Sequence, residues 1–202
     1  MTDRLPEQVA NALTELGNIG AGNAATSLSV MLSSKLTMTA PTVSLHDFDE
    51  LENSLGGAES TVLGVMTQLQ GSLDAMLLFV IGIEEAQHLA TAVLNQPTDW
   101  KNEMGMSAIC EVANILIGSY VASLGNLSNM ELRYSQPQAV VDMAGAILSI
   151  PCIKLGAVSD KALHIDSGFV VDGKEIHGVI MLVAEMHSFD QLLQQLGIGG
   201  AE

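Results

Sequence analysis

The chain has 202 residues, of which 48% are apolar, and its 23 acidic and 7 basic side chains give a formal charge of −16. That acidity excludes nucleic acid and anionic membrane surfaces as electrostatic partners, because both demand a basic patch to displace counterions from phosphates. It suits solubility or a basic protein partner, and the apolar share is ample for a buried core.

Taken in order, Leu5, Val9, Leu13, Leu16, Ile19 and Leu28 recur at three- and four-residue spacing and predict one long helix over residues 5 to 32. Pro6 suits its first turn, and Gly17, Gly20, Ala21, Ala24 and Ala25 give it a small-residue surface open to close helix packing. Leu36, Met38 and Ala40 alternate with threonines as in a short strand ended by Pro41. The acidic stretch Leu45 to Leu55 predicts a short helix stopped at Gly56-Gly57. Thr61 to Leu69 and Leu73 to Ile83 predict a hairpin, and Glu84 to Leu94 returns to the helical period. The longest apolar run, Ala75 to Ile81, is strand-sized and far short of the ~18 residues of a membrane span.

Beyond Trp100, near the join between halves, the order repeats. Glu103 to Leu124 predicts a helix, Glu131 to Ser135 a strand, and Pro137 a boundary. Leu163 to Val171 and Glu175 to Ala184 predict a second hairpin turning at Asp172-Gly173, followed by a helix from Phe189 to Leu196, capped by Ser188 and stopped at Gly197. Between them, Ala139 to Ile150 is apolar apart from Asp142, read as a helix that either buries its acid as a cap or forms an exposed docking surface. The expected fold is α+β: one duplicated domain over 1–202, with repeats at about 5–96 and 101–197 related by a pseudo-twofold axis. Its antiparallel sheet is expected to hold about six strands with helices packed against it.

The repeat is sharpest in its polar residues. Ser107, Glu111 and Asn114 fall at i, i+4 and i+7, one stripe of a helix, with Pro137 following Asn114 across 22 residues. Ninety-six residues earlier, Asn11, Glu15 and Asn18 lead to Pro41 across the same gap. The next stripe position is Gly118 in one copy and Gly22 in the other, although glycine inside a helix costs about 1 kcal/mol relative to alanine. Something must therefore approach the backbone there, either another helix or a partner protein. A Glu and an Asn one turn apart ordinarily mean only a solvated face, and repetition at equal spacing is what separates these. Pro41 and Pro137 are as well explained by the fold.

The doubled pattern Asp/Ser-x3-Glu-x2-Asn-x22-Pro resembles the CheC family of bacterial chemotaxis phosphatases, relatives of CheX and FliY, over nearly the whole chain. Asn11 departs from the family's Asp or Ser, so the second copy is the fuller. The resemblance implies a cytoplasmic phosphatase of a phosphorylated CheY-type receiver. Its helix docks on the receiver, Asn18 and Asn114 position the attacking water, and Glu15 and Glu111 contact the receiver's lysine. This sparse toolkit suits phosphoryl hydrolysis, whose loose transition state asks for placement and charge stabilisation more than proton abstraction. A carboxamide can both accept from water and donate. No cofactor of its own and no metal site are expected, since the receiver brings its Mg2+. In the family the helix after the proline binds the deamidase CheD, which makes Asp142 the candidate partner-binding residue. The alternative is a regulatory module that sequesters CheD or phosphorylated CheY with little turnover. FliY normally adds a switch-complex domain, for which nothing is left over, and CheX implies a shorter chain with one complete motif.

Other motifs lead nowhere comparable. Gly17-x-x-Gly20-x-Gly22 lacks a preceding strand and reverses the dinucleotide fingerprint. His46, His88, His164, His177 and His187 are scattered without ligand spacing, and no G-x-S-x-G occurs. Cys110 and Cys152 have no redox or metal spacing and read as reduced core thiols, consistent with a chain that lacks a secretory signal and with a cytoplasmic protein that does not insert into membranes.

Overall fold

The most apolar, β-branched stretches of the chain build the middle of the sheet as two hairpins. These are β3 (Thr61–Gly71) with β4 (Ala75–Gly82) and β7 (Lys161–Val171) with β8 (Lys174–Ala184). They join antiparallel through β4 and β8, where Leu77 faces Leu182 and Phe79 faces Ile180. The computed structural model describes residues 7–32, 37–156, 158, 161–171 and 174–196. The expected roles of Leu5, Pro6, Leu36, the Asp172-Gly173 turn and Gly197 lie outside the described residues.

Among the described residues, eight strands occupy six positions across the sheet. On one edge, β1 (Thr37–Met38) and β2 (Thr42–Asp47) both pair with β7. On the other, β5 (Leu132–Tyr134) and β6 (Gln138–Met143) both pair with β3. The expected six strands thus become eight, because the segments after Pro41 and Pro137 run extended before they turn helical. Helix α2 starts at Phe48 (Phe48–Ser54) and α5 at Ala144 (Ala144–Leu155), not at Leu45 or Ala139. Val43, Val140 and Val141 favour the pleated surface, and a ladder partner for each residue of both segments outweighs the weak helical pattern. Each outer pair comes from the other half of the chain, so the halves exchange sheet edges.

Side-chain alternation splits the core between the two faces. Leu77, Phe79 and Ile81 of β4 join Leu13, Leu16, Leu28, Ile117 and Phe189 on the face covered by α1 (Glu7–Leu32), α3 (Ile83–Leu94), α4 (Glu103–Ser128) and α6 (Met186–Gln195). Met76, Leu78 and Val80 meet Leu51, Ile147 and Leu148 of α2 and α5 on the other. A strand buried on both faces has no polar side to show, which is why Ala75 to Ile81 reads as an unbroken apolar run. Helix α4 is long and apolar enough, by length and composition, to cross a membrane, but 56% of its most apolar window is buried inside this fold.

Local chemistry sets the helix ends. Asn102 caps α4 by accepting from the Gly105 N–H at 2.7 Å. The cap of α6 is Glu185 rather than the expected Ser188. Its carboxylate accepts from the Ser188 N–H at 3.0 Å, and that bond holds its pKa below the usual range. The Ser188 hydroxyl accepts from the Asp74 N–H instead.

Candidate active site

The two motif helices pack against each other through a large and a small residue. A Cβ on Gly20 would stand 2.5 Å from Cδ1 of Tyr120, so only glycine admits that ring against the backbone of α1. The repeat offset places Ala24 opposite Tyr120 in the alignment of halves and Leu116 opposite Gly20, so residue size is exchanged between equivalent positions. Near the other end of α1, Met31 shares a cavity of about 530 Å³ with Met104, Ser107 and Glu111. Helices that meet at Gly20 with Tyr120 and at Met31 with the start of α4 run antiparallel. At 1.5 Å per residue, the two polar stripes then sit roughly 20 Å apart along the axes. The fold brings the motif helices together and keeps the motifs at opposite ends.

In the first copy Asn11, Glu15, Asn18 and Gly22 are all exposed. Gly17, one residue before Asn18, is buried, and a Cβ there would lie 2.7 Å from Val43 and 3.0 Å from Pro41. Pro41 therefore braces α1 directly beside the site. In the second copy Ser107 and Glu111 are exposed, while Asn114, Gly118 and Pro137 are half-buried. The Tyr134 hydroxyl donates to Asn114 Oδ1 at 3.4 Å, and it stands 2.8 Å from the point a Cβ of Gly118 would occupy.

The close approach expected at the two glycines thus divides. At Gly118 the neighbour is a tyrosine from strand β5, not a helix, whereas a Cβ on Gly22 would meet nothing within 4 Å. Because Gly22 lies in a regular helix facing open space, Gly22→Ala is expected to stabilise the protein by about 0.5–1 kcal/mol. Thermal unfolding should register this as a rise of roughly 1–4 °C. No helical or strand period in the sequence points to Tyr134. The available signal was its place in the spacer between Asn114 and Pro137, as one of only two tyrosines.

Asp142 corrects the sequence reading. It lies on strand β6 opposite Val62 rather than on a helix, and it is exposed, so it caps no buried neighbour. Its carboxylate accepts from the Met143 N–H at 2.8 Å, and the adjoining strand residues Val141 and Met143 are exposed as well.

The remaining candidates stay apart from the stripes. His164 is buried against His46, ring centroids 4.8 Å apart, and burial followed by the nearby His46 pushes its pKa down to about 4, so it stays neutral. His46 in turn pairs with Glu50 at 2.9 Å. His88, His177 and His187 are exposed, and no cluster of His, Cys, Asp or Glu able to hold a metal occurs among the described residues. Cys110 and Cys152 are free and half-buried, and burial raises the Cys110 pKa. Gly17, Gly20 and Gly22 lie within helix α1 and form no phosphate-cradling loop.

The first stripe therefore offers one carboxylate and two carboxamides, and the second a hydroxyl, a carboxylate and one carboxamide, to whatever docks on it. The model of the CheC-like family matches residues 9–45 and 104–141, the two segments that each carry a motif helix and its proline. The chain is similar to the CheY-P phosphatase CheC of Bacillus subtilis strain 168, 29% identical over 201 residues that cover 96% of either chain. It is also similar to the flagellar motor switch phosphatase FliY of that organism, 28% identical over 142 residues, 67% of this chain and 36% of FliY. Among solved structures, FliY of Thermotoga maritima shares the fold at a TM-score of 0.72 with 19% identity, covering 98% of both chains. With both motif segments matched and a relative aligned end to end, the chain resembles the CheC-like family in sequence, and it shares the fold of FliY.

Proposed function

We propose that this protein is a cytoplasmic phosphatase that hydrolyses the aspartyl phosphate of a CheY-type response regulator in chemotaxis. The observation that carries the reading is the outward presentation of both Glu–Asn pairs, on helix surfaces where a second protein can reach them. The full-length similarity to a CheY-P phosphatase supports it.

In this reading the receiver supplies the phosphoryl group, its bound Mg2+ and its lysine. Asn18 and Asn114 hold the attacking water in line, the amide oxygen accepting from it. Glu15 and Glu111 pair with the receiver's lysine and fix the register of docking. With the scissile bond supplied by the partner, the work left to this chain is placement, which is the larger part of the barrier in phosphoryl transfer. The test is the loss of phosphoryl label from a receiver with and without this protein. Accelerated loss supports the reading. Binding without acceleration replaces it by the alternative, a module that sequesters phosphorylated CheY or CheD.

A second partner rests on a different surface. Asp142 stands exposed on β6 at the sheet's edge, and the neighbouring Val141 and Met143 are exposed apolar residues of the same strand, a setting that suits docking of the deamidase CheD. Asp142→Lys is expected to weaken CheD binding in calorimetry, and an unchanged affinity removes the assignment.

A further inference from the structure

The second site contains a residue that the first lacks. Tyr134 donates its hydroxyl to the side-chain oxygen of Asn114, while the residue 96 positions earlier is Met38, whose thioether has no proton to give. Asn18 makes no such bond among the described residues.

The strand that carries Tyr134 is firmly seated. Tyr134 pairs with the buried Leu69 of β3, and the next residue, Ser135, donates its N–H to Gln68 O at 3.0 Å. The buried Thr67 donates its hydroxyl to Ser135 O at 2.6 Å. The phenol thus projects from a fixed base, and Gly118 leaves the room beneath its oxygen that any side chain would fill. A phenolic ring has only two side-chain torsions to restrain, so little entropy opposes holding it there.

We propose that Tyr134 is a positioning residue that sets the orientation of the Asn114 carboxamide, and that the two sites are unequal because only the second has it. This rests on the phosphatase reading for its consequence in turnover, though not for the contact itself. An amide oxygen can accept two hydrogen bonds. With one taken by Tyr134, the oxygen end of the carboxamide is fixed toward β5, the second acceptor position stays open to water, and rotation about the terminal side-chain bond is restrained. Asn18 has to find the same orientation when the receiver docks.

The experiment pairs kinetics with spectroscopy. In the Asn18→Ala background, where only the second site turns over, Tyr134→Phe keeps the ring and removes the hydroxyl. It is expected to lower kcat for receiver dephosphorylation about five-fold, as loss of one neutral hydrogen bond would, with KM unchanged. In the Asn114→Ala background the same exchange is expected to change nothing. In 15N-labelled protein without any receiver, the Asn114 side-chain amide is expected to lose order in Tyr134→Phe while the Asn18 amide does not. An Asn114 amide equally ordered with and without the hydroxyl overturns the proposal, as does a kcat loss of the same size in the Asn114→Ala background. If wild type fails to speed receiver dephosphorylation while the Asn114 amide loosens in Tyr134→Phe, the phosphatase reading falls and the positioning contact stands.

Discussion

Alanine at both Asn18 and Asn114 is expected to return receiver dephosphorylation to the receiver's own rate, a fall of roughly 100-fold in the turnover this protein adds. The size follows from the sparseness of each stripe. With no nucleophile beside the Glu–Asn pair, the carboxamide is the one group that can hold water in line, so its loss leaves docking without chemistry. Each single exchange leaves the other site working, about 20 Å away by helix rise, and should remove only its own share. The Asn114→Ala share should be the larger, since that amide is already oriented. Asn18 is exposed, and exchanges at such surface positions usually move stability by less than about 0.5 kcal/mol, so melting curves can separate lost turnover from lost fold. A double variant as fast as wild type would sink the catalytic role of both residues.

The largest effect on stability is expected at the helix crossing. Tyr120→Ala removes a side chain that is 2% exposed and seated directly against Gly20, leaving a cavity between the two helices that carry both sites. Deleting a buried aromatic ring costs about 3–5 kcal/mol, because neighbours relax only partly into the space. For a chain of this length that corresponds to a melting temperature roughly 10 °C lower, measured by calorimetry or circular dichroism. Tyr120 lies on the buried face of α4, away from the stripe, so the turnover of the fraction still folded should change little. A melting temperature within a degree or two of wild type would show that the helices do not depend on this contact.

Much of the architecture was legible in local patterns. Helical spacing from Leu13 to Leu28 and the paired apolar runs around Gly71 each survive in the fold. The stretches after the prolines were not legible, and the reason is physical. Thr42–Asp47 and Gln138–Met143 are extended because β7 and β3 offer them hydrogen-bond partners, a cause that acts from far along the chain. Tyr134 was hidden for a similar reason. Its contact with Asn114 spans 20 residues and depends on a strand folding back over the helix, which no local period reveals. At Gly118 the spacing points to an approached backbone without revealing that a strand tyrosine approaches it, whereas at Gly22 nothing in the fold comes near.

The traded edges bear on how the chain is made. Thr42 to Asp47 find their ladder only in Lys161 to Asp166, more than a hundred residues later. During synthesis this border strand therefore leaves the ribosome still waiting for its mate, and native pairing closes only after Lys161 to Asp166 have emerged.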